Sequence, residues 1–339
     1  MNPLVSVVVT TYNQAGYIEQ ALESVFAQTY VPIEVIVVDD GSTDDTALRI
    51  ASFTDRVSYI RQKNQGIAGS RNTGTRKAGG ELIAFLDGDD IWDPRKLAVQ
   101  VELACTYQNS GLIVVDGVEF SESGMMRTSL LSGDCWKGFP ENEVITGNYY
   151  HRFLQGQCIS TISQVMAPAR VFEEVGLSNG KFSRANDWDL YIRIAARFDV
   201  TILKKPLMRW RYLPTSASGP RSMRGFSYLP EDLAVLRNHL RESHGDDRAL
   251  LRAIIDARVA KGAEALYHFG LRTDKVFATR LLLKLLAMNF NSRAVVAFLA
   301  GLWCPSWITG KLGQPVRKII TGISARPSKS RAGGFTTSR

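Results

Sequence analysis

The sequence predicts an α/β fold with a mixed, mostly parallel sheet, followed by a helical C-terminal region. Apolar, β-branched runs alternate with helical periodicity at short spacing over residues 4–95, which is typical of βαβ units and a parallel sheet. Polar clusters follow three of these runs, and open sheets bind ligands at the carboxyl ends of their strands. Residues 230–325 then carry apolar residues at helical spacing.

The first 95 residues have the most regular pattern. Short apolar runs rich in β-branched residues predict strands at 4–10, 33–38, 57–60 and 82–86. Apolar residues that recur every three or four positions predict helices at 16–28, 44–53 and 68–78, and one from Pro94. The polar clusters at the strand ends are 10–13, 39–43 and 87–90. One crevice is expected to gather all three.

The middle of the chain is less regular. Strands are predicted at 111–118 and 159–166, and helices at 168–175 and 187–198. Residues 119–157 are rich in Ser, Gly, Asn and aromatic residues with little periodicity. We interpret them as a long irregular insertion over the ligand crevice or as a loop that shapes the acceptor site.

The positive charge lies at the C-terminal end. The net charge is +8, and eleven Lys and Arg residues but no Asp or Glu follow Asp274. The longest apolar run, 294–303, is too short to span a bilayer and is flanked by cations and Trp residues. This pattern favours peripheral contact with an anionic membrane surface. The alternatives are helices that pack on the body of the protein or mediate a homodimer. No nucleic-acid partner is expected, because aromatic residues do not interleave with the cations.

The spacing of the cysteines indicates the cellular compartment. Cys105, Cys135, Cys158 and Cys304 lie far apart without a Cys-x-x-Cys spacing, which argues against zinc or a disulfide scaffold and fits a reducing cytosol. The N-terminus leads directly into a strand without a signal-peptide pattern. We therefore expect a cytoplasmic protein, peripheral at the inner face of the cell membrane.

The most informative stretch is Leu82 to Asp90, a buried strand that ends in three carboxylates. In an extended segment Asp87 and Asp89 point to the same side, and Gly88 lets a bulky ligand approach the backbone. Two carboxylates on one side suit Mn²⁺ or Mg²⁺, which usually keeps part of its coordination shell for phosphate oxygens. The alternative interpretation is an acidic turn that caps the next helix.

Several segments, in order and spacing, resemble the family 2 glycosyltransferases of GT-A fold; they are 5–13, 37–43, 64–72, 86–90 and 185–193, with 210–218 similar to that family's closing loop. The resemblance implies a Rossmann-like catalytic domain over 1–225, with a nucleotide-binding half (1–110) and an acceptor-side half (111–225). A helical region (226–323) and a disordered basic tail (324–339) are expected to follow. The implied reaction is inverting transfer of a sugar from a nucleoside-diphosphate sugar, here a UDP-sugar. The implied acceptor is a hydroxyl of a glycan or lipid-linked saccharide in cell-surface polysaccharide synthesis.

Four residues are expected to bind the nucleotide. Thr10 and Tyr12 offer a hydroxyl and a stacking face for a base. Asp40 can accept from a base N–H, and the resemblance assigns it to uracil. Arg71 lies near a helix start, where a guanidinium suits an anionic nucleotide; the alternative is a surface arginine.

The remaining candidates concern the diphosphate and the acceptor. Asp89 is expected to hold the ion near the leaving diphosphate. Asp87 is expected to support it by contacting either the ribose or the metal. Asp187 is our candidate for the general base that removes the acceptor proton. A helix with an acidic first turn is the alternative reading of this segment, and Asp189 is expected to serve the helix. Arg211 is expected to cover the diphosphate.

Two positions depart from the family pattern. Asn186 stands where the family often has Glu, which removes a negative charge beside the base. Leu213 stands where the closing loop often carries His, so any contact from that His is lost. The alternatives to a transferase are a catalytically inactive scaffold that binds a nucleotide sugar or glycan, and a sugar-nucleotide pyrophosphorylase. The first strand lacks the Gly- and Arg-rich loop that the pyrophosphorylase requires.

Overall fold

The computed structural model describes residues 2–131, 134–140, 143–213, 229–272, 275–287, 295–296 and 298–299. The chain divides into two compact units, Met1–Met223 and Arg224–Arg339. The strands are β1 (Val5–Thr11), β2 (Ile33–Asp39), β3 (Ser58–Arg61), β4 (Leu82–Asp87), β5 (Ile91–Trp92), β6 (Ser110–Ser121), β7 (Gly124–Arg127), β8 (Val144–Gly147), β9 (Val165–Pro168) and β10 (Asp199–Arg211). The helices are α1 (Ile18–Phe26), α2 (Thr46–Ile50), α3 (Gly66–Lys77), α4 (Lys96–Thr106), α5 (Tyr150–Gln155), α6 (Ala169–Val175), α7 (Asn186–Ala195), α8 (Leu229–Glu242), α9 (Gly245–Arg272) and α10 (Lys275–Ala287).

The described strands form one sheet in the order β3-β2-β1-β4-β9-β6-β10-β5, with β7 on β6 and β8 on β10. The first four strands in this order are parallel, and β9 runs antiparallel between β4 and β6. The predicted α/β fold with a mixed sheet is confirmed. The register places Thr10 beside both Val38 and Asp87. The carboxyl ends of β1, β2 and β4 therefore meet at one edge.

Both faces of the central strands are covered. Val7 and Val9 of β1 are fully buried and belong to the same apolar core as Ile18 and Leu22 of α1. Val8 points to the opposite face, where α3 packs so closely that a Cβ on Gly74 would lie 2.2 Å from its Cγ1. Helices on both faces explain why β1 reads as a continuous apolar run rather than an alternating one.

The acceptor-side half differs from the prediction in three places. The strand predicted at 159–166 begins only at Val165, because Ile162–Gln164 form a 3₁₀ helix. Strand β10 was not predicted, yet its 13 residues pair in parallel with β6 through register shifts around Pro206. The segment 119–157 was expected to be irregular, but it contains the end of β6, β7, β8 and α5. Short strands on the sheet edge carry little periodicity of their own, because their pairing supplies the order.

The cysteine spacing argued against a disulfide scaffold, but the structure contains one disulfide. Cys135 and Cys158 form a disulfide, with Cα atoms 5.6 Å apart across 23 residues of sequence. The fold of the segment between them brings them together, and the spacing alone gave no sign of it.

The second unit is helical, as expected, in its described part. Helix α9 packs against α8 and α10, and Arg258 of α9 lies 3.4 Å from Asp232 of α8. None of the helices among the described residues is long and apolar enough to cross a membrane. Most of the apolar run 294–303 and the whole tail 324–339 lie outside the described residues.

Candidate functional site

The last residue of β4 carries the carboxylate at the centre of the sheet edge. Asp87 accepts hydrogen bonds from the Thr10 hydroxyl at 3.3 Å and the Thr161 hydroxyl at 3.4 Å. Its backbone N–H donates to the Ser163 hydroxyl at 3.0 Å. The Asp87 carboxylate is thus held by strand β1 on one side and by the segment before β9 on the other.

Arg71 connects this carboxylate to helix α7. Its Nη2 donates to both carboxylate oxygens of Asp87, at 3.0 and 3.2 Å, and its Nη1 donates to the Asn186 side chain at 3.2 Å. Arg71 is only 3% exposed, so it is not a surface arginine. Its Nε is buried and has no hydrogen-bond partner among the described residues, and its nucleotide contact stays a prediction.

Asp90 connects the acidic loop to two other segments. Its Oδ2 accepts from Ser163 at 2.6 Å, and its Oδ1 accepts from the backbone N–H of Arg211 at 3.0 Å. Burial, with Asp89 and Asp87 nearby, raises the pKa of Asp90 well above that of an ordinary carboxyl group. These contacts give Asp90 a positioning role in the loop.

Arg211 stands at the end of β10 beside the same loop. Its Nε donates to the backbone oxygen of Asp89 at 2.9 Å and its Nη2 donates to Gln20 at 2.8 Å. The guanidinium carbon lies 4.8 Å from the ring centre of Tyr17 and 4.6 Å from that of Phe120. The positive charge is therefore fixed next to the metal candidate, where a diphosphate would require it.

The surroundings of Asp89 fit a cation. Burial and the neighbouring Asp87 raise the pKa of Asp89 to about 6, and a hydrogen bond from the Gln14 side chain opposes this. A carboxylate in a low-dielectric site beside another carboxylate is stabilised by added positive charge, which a divalent ion would supply beyond that of Arg211. No group of three His, Cys, Asp or Glu side chains in the described residues is arranged to hold a metal. The phosphates of a ligand would thus have to complete the coordination.

Gly88 allows the loop after β1 to touch the loop after β4. A Cβ at this position would lie 2.6 Å from Gln14 Oε1 and 3.1 Å from Thr11 Oγ1. Both oxygens are buried and have no hydrogen-bond partner among the described residues. Oxygen acceptors without donors beside Asp89 again fit a cation or its water ligands.

At the end of β2, the two adjacent carboxylates have different roles. Asp39 accepts from Tyr59 Oη and from the backbone N–H of Ser42, both at 2.8 Å, and so fixes the turn. Asp40 accepts at Oδ1 from Gln62 at 2.7 Å and from the backbone N–H of Gln65 at 3.0 Å. Within the described residues, no hydrogen bond reaches Oδ2 of Asp40, which leaves that oxygen for a ligand.

Asp187 lies in the first turn of α7, next to the residue that Arg71 contacts. Its Oδ1 accepts from the backbone N–H of Trp188 at 2.9 Å. Burial raises the pKa of Asp187 above that of an ordinary carboxyl group, while Arg71 opposes the rise. A carboxylate with a raised pKa is a stronger proton acceptor, as a general base requires.

The two residues after Asp187 have structural contacts. Trp188 is buried and donates from Nε1 to the backbone oxygen of Phe153 at 2.7 Å, so it belongs to the core. Asp189 forms an ion pair with Arg193 one turn later, with Nε 2.9 Å from Oδ2. Both Asp187 and Asp189 lie in the acidic first turn of α7, so the alternative reading applies to both, and the role of Asp187 as the base stays a prediction.

The structure gathers the predicted residues at one edge and adds others. Thr10 is buried against Asp87, whereas Tyr12 is 47% exposed with its ring available for stacking. The sequence reasoning missed Gln14, Thr161 and Ser163. Only the hydroxyl-rich run before β9 gave a sign of the last two.

Residues 6–167 match the family described as Glycosyl transferase family 2. The N-terminal part of the chain, a little under half of its length, thus matches the family that the sequence motifs resemble. An uncharacterized glycosyltransferase of Rickettsia prowazekii is 28% identical to this chain over 192 residues, which are 57% of this chain and 58% of the relative. The chondroitin synthase of Escherichia coli is 31% identical over 204 residues, 57% of this chain and 26% of the synthase. The chain thus spans less than two thirds of the length of the curated relatives that it matches.

Solved structures share the fold of this chain. Staphylococcus aureus TarS 1–349 in complex with UDP-GlcNAc matches with a TM-score of 0.59 and 16% identity over 94% of this chain and 89% of that one. The mannosyltransferase PcManGT of Pyrobaculum calidifontis, in complex with GDP-Man and Mn²⁺, matches with a TM-score of 0.55 and 18% identity. That match covers 89% of this chain and 88% of the mannosyltransferase. At these identities the likeness establishes the GT-A type of fold alone.

Proposed function

We propose that the chain is an inverting glycosyltransferase that moves a sugar from a UDP-sugar to a hydroxyl of a glycan or lipid-linked saccharide, in cell-surface polysaccharide synthesis. The observation that carries the proposal is the Arg71 bridge. One guanidinium joins Asp87, at the end of a nucleotide-side strand, to Asn186, which precedes the candidate base Asp187. A donor site and a proton acceptor are thereby held in one arrangement.

In the proposed mechanism the nucleotide binds first at the sheet edge. Tyr12 stacks on the base, and Asp40 accepts from its N–H through Oδ2. The solved relatives that bind UDP-GlcNAc or GDP-Man support a nucleotide-sugar donor. Asp89, with Asp87, would hold Mn²⁺ or Mg²⁺, which would neutralise charge on the leaving diphosphate. Arg211 adds a fixed positive charge beside the same loop.

The transfer itself needs a base opposite the leaving group. Asp187 accepts the proton of the acceptor hydroxyl while the hydroxyl oxygen bonds to the anomeric carbon and the bond to phosphate breaks. Arg71 holds the first turn of α7 through Asn186 and so limits the freedom of this carboxylate. Residue 186 is the neutral Asn186, so no carboxylate at that position competes with Asp87 and Asp187 for the charge of Arg71.

The first test is calorimetric titration of UDP, GDP and dTDP into the full chain, with Mn²⁺ and then with EDTA. We expect tight binding of UDP that depends on the ion and is lost in Asp89→Ala. An exposed carboxylate, Asp55→Ala, is the matched control. If none of the three diphosphates binds, the donor proposal is wrong and a scaffold function takes its place. Tight binding of GDP alone would keep the transferase proposal and reassign the donor.

We place this reaction at the inner face of the cell membrane, with the basic C-terminal region in contact with the lipid. The concentration of positive charge after Asp274 supports this placement.

A further inference from the structure

Helix α10 has an exposed side of mixed character, which we call the lipid face: Val276, Arg280 and Leu283. Positions separated by four and then three residues lie on one side of a helix. Val276 and Leu283 are each 53% exposed, and Arg280 between them is also exposed. A surface helix usually has one apolar side, which is buried, and a polar side toward water. The two exposed apolar side chains on the other side of α10 depart from that pattern.

The buried side of α10 accounts for its folding. Ala278, Leu282 and Leu285 are fully buried, and the helix packs against α9. The lipid face is therefore not needed to hold α10 in its unit. Its apolar side chains are half exposed and available to contact a partner.

The charge of the surrounding sequence points to the chemistry of that partner. Eleven of the 41 Lys and Arg residues lie at or after Lys275, whereas none of the 33 Asp and Glu residues does. Eleven exceeds the net charge of +8, so the preceding part of the chain is net negative. The region that contains the lipid face is thus strongly cationic, and it is attached to an acidic body.

We propose that the lipid face of α10 lies on a bilayer surface that contains anionic lipids. Val276 and Leu283 would enter the boundary between headgroups and acyl chains, and Arg280 would remain at the level of the lipid phosphates. A second copy of the chain is a poorer occupant, because two Arg280 side chains and two cationic regions would face each other. The proposal rests on the placement at a membrane in the proposed function and names the surface responsible.

The test is co-sedimentation of the full chain with vesicles, without nucleotide. One vesicle is phosphatidylcholine and the other is an equal mixture of phosphatidylcholine and phosphatidylglycerol, each at low and high salt. We expect binding to the mixed vesicles alone, weakened by salt. Arg280→Gln should lower the partition coefficient about fivefold, the usual effect of one cation near such a surface. Leu283→Ser should lower it about tenfold by removing apolar burial.

The matched control is Leu48→Ser on α2, an exposed leucine (71%) in the other unit, which should bind as the unaltered chain does. Circular dichroism of each variant checks that the helices are retained. If both α10 variants bind like the control, or if the unaltered chain does not bind the mixed vesicles, the proposal is overturned. Self-association in ultracentrifugation that Leu283→Ser abolishes would also overturn it and assign the face to a second copy. Because no substrate is used, these outcomes are independent of the nucleotide titration.

Discussion

Replacing Arg71 by Met tests how strongly its ion pair with Asp87 holds the site together. The substitution keeps the length of the side chain but leaves the Asp87 carboxylate without its cation. The two side chains meet at 3.0 Å, with Arg71 almost fully buried and Asp87 about one fifth exposed. Loss of one partner of a buried pair costs about 3 to 5 kcal/mol, because the remaining charge stays desolvated. Thr10 and Thr161 still donate to Asp87. We therefore expect the free energy of unfolding to fall by about 3 kcal/mol, near the lower end of that range.

The chain offers a control pair with the same separation and different burial. Arg95 lies 3.0 Å from Asp93, but its side chain is 62% exposed. Arg95→Met should therefore leave the urea midpoint unchanged, since water screens the exposed pair. The assay is urea unfolding of both variants, followed by tryptophan fluorescence. An equally small change for Arg71→Met and Arg95→Met would refute the argument that burial makes the Arg71 pair structural.

Three further predictions concern the metal loop, the base and the packing of α3. Because the pKa of Asp89 is raised to about 6 from 3.8, its favourable contribution to stability is full below 3.8 and is lost as the pH rises through 6. Asp89→Asn should thus raise the Tm of the EDTA-treated protein at neutral pH while abolishing Mn²⁺-dependent UDP binding; a lower Tm would contradict the assigned environment. Asp187→Asn should reduce turnover by about 10²- to 10⁴-fold with unchanged UDP affinity. If this variant turns over the donor at nearly the rate of the unaltered enzyme, Asp187 is not the base. Gly74→Ala should lower the free energy of unfolding by about 1 to 3 kcal/mol, because its Cβ would lie 2.2 Å from Val8. Gly180→Ala, with no atom within 4 Å of its Cβ, should be close to neutral in the same urea assay.

The nucleotide-side half was predictable because its strands are buried on both faces. Continuous apolar runs such as 4–10 and 82–86 mark such strands, and polar residues mark their ends. Strand β10 was missed because Lys204, Lys205 and Pro206 interrupt its apolar pattern. In the structure these residues lie at register shifts against β6, where pairing is irregular.

The candidate site was predictable in its residue types but not in its contacts. The sequence placed Arg71 and Asp87 in separate motifs, and no pattern shows that a guanidinium from α3 would reach the end of β4. The link from Arg71 to Asn186 spans 115 residues of sequence, a separation at which side-chain partners depend on the folded topology. For the same reason, the disulfide between Cys135 and Cys158 could not be read from spacing.

The close contact at Gly88 constrains how this sequence can change. Because Gln14 and Thr11 already occupy the space beyond Gly88, a side chain at 88 requires either a shift of the Gln14 side chain or a smaller residue at 11 or 14. Substitutions in the loops after β1 and β4 are therefore expected to be epistatic, although 74 residues separate Gln14 from Gly88. A library that varies position 88 alone is expected to yield fewer active proteins than one that varies 11, 14 and 88 together. New donor preferences would be found more readily by varying both loops together.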